Sequence, residues 1–410
     1  MAPISRLIYS NLRKNNRLTA ARKTGKAVPL QKRSINILLI YEGSPLLSHF
    51  LPGNPGGIEQ SIFEMARYTA GSEVLTLSNT PGAVSVNGIP VKAERRWLSM
   101  ASCCMGPSLV SDLYKKQADI VHLHFPWPFG DLSYLLGGRR RPLIVTYHSD
   151  IVRQRALGAV YGPLMRLFLN RADRIVATSP DYLASSPVLR EFVDKVEVIP
   201  LGISESSYPQ PAAKSVETLR ERFDDGFMLF VGALRYYKGL EFLVRSAPGL
   251  PFPILIAGKG PEEKRLRALA NSLGAENVHF LGHVDDEEKM ALLHLCRAVV
   301  FPSHLRSEAF GVTLLEGMMA GKPLISCDIG TGTSFVNLDG ETGHVIPPAD
   351  VSALRAAMLD LSGNREKAAD WGSAARARYE ATFTGRKMAE AYGHLYRRVL
   401  TERADKQAVA

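Results

Sequence analysis

This sequence of 410 residues has only four cysteines, no long apolar run and no acidic residue in its first 34 positions. Its four cysteines have no metal-ligand spacing, and Cys103 and Cys104 are adjacent, so we exclude a disulfide scaffold and expect a reducing cytoplasm. No stretch approaches the roughly 18 uninterrupted apolar residues of a membrane-spanning helix. The chain does not start with an apolar segment and a small-residue cleavage site, so we do not expect secretion.

The positive charge is concentrated at the start of the chain. Of the net charge of +10, nine units lie in residues 1–34, which contain no acid, and this leaves +1 for the rest. Two interpretations of this basic tail stay open: a solvated, disordered extension, or an anchor on an anionic membrane surface. We do not expect a nucleic acid partner, because the nearly neutral body has no basic face to continue the contact.

Short apolar runs alternate with amphipathic segments from residue 35 onward, as in INILLIY (35–41) and DIVHLH (119–124). A proline-containing stretch at 200–214 interrupts the alternation, which restarts with FMLFVG (227–232). This pattern predicts an α/β protein with two Rossmann-like, doubly wound parallel-sheet domains, at 35–200 and 201–383, that face each other across a cleft. Residues 384–410 are predicted to form a last helix. In the helix near 58–69, Gln60 and Glu64 are predicted on the polar face.

Open parallel sheets bind ligands beyond the carboxyl ends of their strands, so the residues there carry the functional prediction. Gly57 precedes a helix whose first amides favour an anion, although the glycines are a weak signal and a flexible loop before a helix is the competing interpretation. The first strand is not followed by G-x-G-x-x-G, which disfavours a dinucleotide cofactor. His122 and His124 face the same way on one strand, but a metal would need a third ligand that the sequence does not suggest.

Three further groups follow strands. His148 can bind or orient a substrate, or can be a structural histidine. Arg235 and Lys238 can clamp a diphosphate, or can be solvated cations. The most specific string is SHLRSEAFGVTLLEGMMAGKP, in which Glu308 and Glu316 are eight residues apart and flank the start of a helix. A carboxylate in such a helix can accept ribose hydroxyls, and one just before it can bind a sugar.

As an ordered set, these motifs resemble the retaining glycosyltransferases of family 4, which have the two-domain GT-B fold. The resemblance covers residues 35–400 and is carried by PGGIE, DIVHLH, YHSD, VGALRYYKGL, AGKGP, EAFGVTLLEGMMAGKP and DGETG. The family usually has an arginine directly after the glycine of VGALR, where this chain has Ala233. The resemblance also implies that the last helix crosses back to the first domain.

The resemblance implies a role for each matching residue. Glu316 would hold the ribose of a nucleotide sugar, and Glu308 would bind its sugar. Arg235 and Lys238 would stabilise the leaving diphosphate, and His148 would border the reacting sugar on the acceptor side. The residues whose backbone would approach the phosphates are Gly57, Phe310, Gly311 and Val312.

A closer likeness to bacterial transferases of surface-polysaccharide synthesis implies a GDP-sugar donor, GDP-mannose or GDP-rhamnose. It also implies a lipid-linked saccharide acceptor at the inner face of the cytoplasmic membrane. There is no D-x-D triplet, so we expect metal-independent transfer. We expect no other cofactor besides the nucleotide-sugar donor. A UDP-sugar-dependent transferase, a sugar-nucleotide epimerase and a non-catalytic scaffold are the alternatives. The helix at 153–171 can lie on a membrane or pack in the protein.

Overall fold

The computed structural model describes residues 35–42, 57–100, 103–151, 155–223 and 226–409. In these residues the chain forms two parallel sheets covered by helices, which confirms the predicted fold class. The basic tail lies outside the described residues. Among the described helices, none combines the length and the apolar character that crossing a bilayer requires.

The first domain is built on one large, twisted sheet. The strands of this domain, in chain order, are β1 (Ile37–Ile40), β2 (Ser72–Ser78), β3 (Gly82–Val86), β4 (Ile89–Arg95), β5 (Leu98–Met100), β6 (Cys103–Met105), β7 (Ile120–Phe125), β8 (Leu143–Tyr147), β9 (Arg174–Ala177) and β10 (Val196–Val198). Within the described residues the sheet order is β10-β9-β8-β7-β1-β2-β4-β3, and β5 and β6 form a separate hairpin. Neighbouring strands are parallel except β3 and β4. The helices are α1 (Gly57–Tyr68), α2 (Ser108–Lys115), α3 (Pro128–Gly137), α4 (Arg155–Arg171), α5 (Pro180–Ser185) and α6 (Pro187–Glu191).

The second domain repeats the architecture with a fully parallel sheet. Its strands are β11 (Met228–Val231), β12 (Ile254–Ala257), β13 (Val278–Gly282), β14 (Ala298–Phe301), β15 (Leu324–Cys327) and β16 (Gly343–Ile346). Their order is β13-β12-β11-β14-β15-β16 among the described residues. The helices are α7 (Ala213–Phe223), α8 (Leu240–Ser246), α9 (Glu263–Ser272), α10 (Asp286–Leu295), α11 (Val312–Met319), α12 (Gly332–Val336), α13 (Val351–Gly363) and α14 (Arg365–Thr382).

Both faces of each sheet are covered, which explains why the central strands are continuous apolar runs rather than alternating ones. Every residue of β1, β7, β8, β11, β12, β14 and β15 is buried. Helix α4 contributes the buried Phe168 and Leu169 to the core of the first domain. Within the segment at 153–171, for which we considered a membrane-surface role, these described residues therefore pack into that core.

The last helix, α15 (Gly385–Val409), returns to the first domain as expected. Tyr392 and Tyr396, one helical turn apart, are buried there. Near the other end of the helix, Arg403 donates to both carboxylate oxygens of Asp173 at 2.8 Å. The helix is thus attached to the first domain along its length.

The connection between the domains is more ordered than its composition predicts. Ile203, in the predicted linker, is buried; its amide donates to Phe383 O at 3.0 Å and its carbonyl accepts from the Gly385 amide at 2.8 Å. The prediction that Glu64 lies on the polar face of α1 is wrong. Its side chain is fully buried and accepts a hydrogen bond from the Ser204 hydroxyl at 2.5 Å. A carboxylate is stable there because hydroxyl and amide donors surround it.

Candidate active site

The predicted site residues follow strands of both sheets, at the edges where the two domains meet. His148 follows β8, Lys238 follows β11, and Glu308 follows β14. Gly57 is the first residue of α1, and a Cβ added there would lie 3.1 Å from Val312 Cγ2 of the other domain. The cleft is therefore narrow at this point, and glycine leaves room for the approach of the two helix starts.

Lys238 and Glu308 form an ion pair in the second domain. Lys238 Nζ lies 2.5 Å from Glu308 Oε2, and their side chains are only 12% and 11% exposed. The ammonium also lies 4.6 Å from the centre of the Phe301 ring, and Ser303 Oγ donates to the same carboxylate oxygen at 3.3 Å. A pair shielded this well from water holds both charges in fixed positions, ready for a polar ligand.

A glycine after Lys238 makes this position possible. Gly239 has a φ of 69°, and a Cβ there would come within 1.9 Å of Pro302 O. The loop that carries Lys238 therefore rests directly on the chain that leaves β14. This close backbone contact explains why residues so far apart in sequence can form a short ion pair.

Helix α11 begins between the two glutamates. Its N-cap is Gly311, with a φ of 87°, and a Cβ at this residue would lie 2.9 Å from Phe301 Cε1. In the first turn of the helix, the Leu314 amide donates a hydrogen bond to Gly311 O at 2.9 Å. The amides of Val312 and Thr313 precede that bond and are available to an anion, as at other helix starts. Phe310 is buried beneath this turn.

Glu316 lies one turn further along α11 and is paired with a residue that the sequence analysis missed. Lys289 Nζ lies 2.9 Å from Glu316 Oε1 and 2.8 Å from Asp286 Oδ1. Its ammonium also lies 4.9 Å from the centre of the Tyr208 ring. Burial alone would lower the pKa of Lys289, but the two carboxylates raise it, so the lysine is charged. In the sequence, Lys289 follows a run of acids and resembles an ordinary solvated helix residue.

Arg235 is not brought into this cluster. Its side chain is exposed, and within the described residues this side chain makes no hydrogen bond or ion pair. Lys238, three residues further on, is the cation that the fold places against Glu308.

Three histidines form a buried row in the first domain. His148 Nε2 lies 2.8 Å from His124 Nδ1, and the rings of His124 and His122 are stacked with their centres 4.8 Å apart. The two nitrogens of His122 bind Tyr396 Oη and Thr146 Oγ1, each at 2.7 Å. Both His122 nitrogens are therefore engaged with protein groups, and the described residues contain no cluster of three or more metal-ligating side chains.

The row of histidines is uncharged at neutral pH. Burial lowers the pKa of His148 to about 4 and that of His122, with help from His148, to about 3. In this neutral form, His148 offers a ligand a hydrogen bond but no charge. With Nε2 directed at His124, Nδ1 is the ring nitrogen left for a ligand.

The chain matches two known families and several named proteins. Residues 55–207 match the family described as Glycosyltransferase Family 4, and residues 213–378 match Glycosyl transferases group 1. The D-rhamnosyltransferase WbpZ of Pseudomonas aeruginosa is 48% identical over 343 residues, which cover 82% of this chain and 90% of that protein. The O-antigen chain mannosyltransferase C of Escherichia coli is 43% identical over 363 residues, which cover 87% and 98%.

Solved structures show the same fold at low sequence identity. The sucrose-phosphate synthase of Thermosynechococcus elongatus aligns with a TM-score of 0.73 at 21% identity, over 90% of this chain and 100% of that one. HepE of Anabaena, solved with UDP, has a TM-score of 0.69 at 20% identity, over 88% and 99%. The sequence matches show that the chain belongs to the family 4 glycosyltransferases and is a glycosyltransferase, and its two-sheet fold agrees with this.

Proposed function

We propose that the protein transfers mannose or D-rhamnose from a GDP-sugar to a lipid-linked saccharide during O-antigen synthesis. Two relatives that match most of the chain support the sugar and the process, because one is named a D-rhamnosyltransferase and the other an O-antigen chain mannosyltransferase. The guanine base and the lipid-linked acceptor rest on the motif resemblance described above.

The observation that carries the proposal is the shielded Lys238–Glu308 pair beside the start of α11. Cleavage of the bond between the sugar and the diphosphate develops positive charge on the sugar and negative charge on the departing phosphate. The ammonium of Lys238 and the amides of Val312 and Thr313 stabilise the negative charge, and they need no reorganisation during the reaction. Arg235 reaches the diphosphate only if its exposed side chain turns inward when the donor binds.

The glutamates have separate tasks in this proposal. Glu308 accepts hydrogen bonds from the donor sugar, and Glu316 accepts them from the ribose. Lys289 fixes the position of the Glu316 side chain, because the two form an ion pair at 2.9 Å that is largely shielded from water. Their tasks differ from those of a glycosidase pair, in which one carboxyl group is an acid and the other a nucleophile.

His148 borders the sugar from the first domain as a neutral hydrogen-bonding group. The acceptor hydroxyl attacks the face from which the diphosphate leaves, and the departing phosphate takes its proton, so the configuration at the sugar is retained. No metal takes part in this scheme, because Lys238 and the helix amides supply the positive potential at the phosphate.

Membrane association at the inner face of the cytoplasmic membrane is the second part of the proposal. The basic tail supplies charge for an anionic surface. The β5–β6 hairpin and the residue before it add apolar contact area, since Trp97 is 71% exposed and Leu98 and Met100 are also exposed. Arg139 and Arg140, exposed after α3, add further positive charge on this domain.

Vesicle sedimentation tests the membrane proposal. We expect that deletion of residues 1–34 releases the protein from vesicles containing anionic phospholipid and leaves nucleotide binding intact. Trp97→Ser should weaken vesicle binding further, and vesicles of neutral phospholipid are the control. Equal binding with and without the tail would refute the anchor.

A transfer assay tests the main proposal. The enzyme is incubated with GDP-mannose, GDP-rhamnose or UDP-sugars and a lipid-linked saccharide, with and without a chelator, and the product is analysed by NMR. We expect transfer from a GDP-sugar only, retention at the anomeric carbon and no effect of the chelator. Transfer from a UDP-sugar only, or interconversion of a UDP-sugar without acceptor, would contradict the proposal. Glu308→Gln is the control for activity that does not arise at this site.

A further inference from the structure

One arginine crosses the cleft and binds the first domain. Arg306, in the second domain, places Nη2 3.1 Å from Asp150 Oδ2 of the first domain. Its Nη1 donates to Gly330 O of its own domain at 3.0 Å. The guanidinium also lies 5.2 Å from the centre of the Tyr182 ring, which belongs to the first domain. This planar fork therefore joins the two domains at one place.

Asp150 is held in position to receive this arginine. Its Oδ1 accepts hydrogen bonds from Tyr147 Oη at 2.9 Å and from Ser186 Oγ at 2.7 Å. Its backbone amide donates to Tyr182 Oη at 2.6 Å. The remaining oxygen, Oδ2, is the one that Arg306 binds. Fixed partners on one oxygen leave the carboxylate little freedom to turn away, so the ion pair has a defined geometry.

A second contact reinforces the first. Ser185 Oγ, in the first domain, donates to Gly330 O at 2.5 Å, the same carbonyl that Arg306 binds. The loop of Gly330 is in turn attached to the chain around Glu308, because the Gly332 amide donates to Ala309 O at 2.8 Å. The contact across the cleft thus continues into the loop that carries the donor-sugar glutamate.

Both residues of the Arg306–Asp150 ion pair, the bridge between the domains, lie close in sequence to the active site. Asp150 is two residues after His148, and Arg306 is two residues before Glu308. We propose that Arg306 and Asp150 are positioning residues that set the separation of His148 and Glu308 across the reacting sugar. The proposal rests on the roles proposed above for those two side chains. Geometry of this kind matters because small displacements of reacting groups lower the rate strongly.

A double-mutant cycle in the full-length enzyme tests this inference. Arg306→Ala, Asp150→Asn and the double variant are compared in kcat, nucleotide Kd and melting temperature. We expect each single variant to lower kcat by about tenfold. The nucleotide Kd should change little, because the side chains that we assign to its ribose and diphosphate, Glu316 and Lys238, lie in the second domain. The double variant should be no slower than the slower single variant, since both changes break one bridge.

Two further variants make the result specific. Arg306→Lys keeps the charge but cannot donate from two nitrogens of one planar group to both domains, so its kcat should lie between wild type and Arg306→Ala. Arg265→Ala is the matched control, because Arg265 forms ion pairs with Glu241 and Glu262 within the second domain. We expect it to leave kcat unchanged.

The outcomes separate this inference from the proposed function. Unchanged kcat in folded Arg306→Ala, or additive losses in the double variant, would overturn the positioning role. The roles of His148 and Glu308 are tested separately by His148→Ala and Glu308→Gln. If those two variants lose turnover while Arg306→Ala keeps it, only the positioning inference fails. If His148→Ala and Glu308→Gln keep full turnover, the proposed site fails first.

Discussion

Replacing Lys238 by methionine tests the electrostatic role of the Lys238–Glu308 pair. Methionine keeps most of the side-chain volume and its contact with Phe301, but it removes the charge. Loss of one preorganised group that stabilises developing charge typically lowers kcat by about 10² to 10³. We therefore expect Lys238→Met to reduce kcat about a hundredfold, and at least tenfold.

The same substitution leaves the buried carboxylate of Glu308 with Ser303 as its hydrogen-bond donor. Removal of one partner from a buried ion pair costs about 3 to 5 kcal/mol of unfolding free energy. The double variant Lys238→Met/Glu308→Gln has no unpaired charge, so it should recover most of this stability while remaining inactive.

The assay is release of the nucleotide product at saturating donor and acceptor, with urea denaturation of each variant in parallel. A kcat within threefold of wild type in folded Lys238→Met would refute the electrostatic role. Failure of the double variant to regain stability would show that the lost stability comes from packing rather than from an unpaired carboxylate.

Three other substitutions give independent tests. Glu316→Ala should lower turnover at least tenfold while the protein stays folded; unchanged kinetics would remove Glu316 from the donor site. Gly57→Val should lower kcat/KM about tenfold, because even a Cβ comes within 3.1 Å of Val312; unaltered kinetics would show that the domains do not need this approach. Because burial lowers the pKa of His148 to about 4, the unfolded chain binds a proton more readily than the folded one. This group should therefore lower the unfolding free energy by about 3 kcal/mol between pH 6.5 and 4, and the fall should be smaller in His148→Asn. The unfolding free energy is measured by urea denaturation at each pH. An equal fall in wild type and His148→Asn would contradict the prediction.

The sequence predicted the parts of the fold that depend on continuous apolar strands. The runs that became β1, β7 and β11 are buried on both faces, so their composition alone identifies them. Strands β3, β5 and β6 were not predicted. Strand β3 is mostly exposed, and β5 and β6 have only three residues each, so neither burial nor length leaves a clear pattern.

Site residues could be predicted where one short sequence motif contains them and also fixes their place at a helix start. Glu308, Gly311 and Glu316 lie in a single string, and the structure places them around one helix start. Lys289 could not be predicted, because its pairing with Glu316 depends on how two helices pack. The Arg306–Asp150 contact depends on the placement of two domains, and its members are far apart in the chain.

The most direct test of the central claim is the melting temperature of the protein with GDP, UDP, ADP, GDP-mannose and UDP-sugars. A ligand at 100 times its Kd adds about 2.7 kcal/mol to the unfolding free energy, enough to raise the melting temperature by several degrees. We predict that GDP and GDP-mannose stabilise the protein and that UDP and ADP do not. Stabilisation by UDP alone would contradict the GDP-sugar donor, while leaving the fold and the tasks of Glu308 and Glu316 in place.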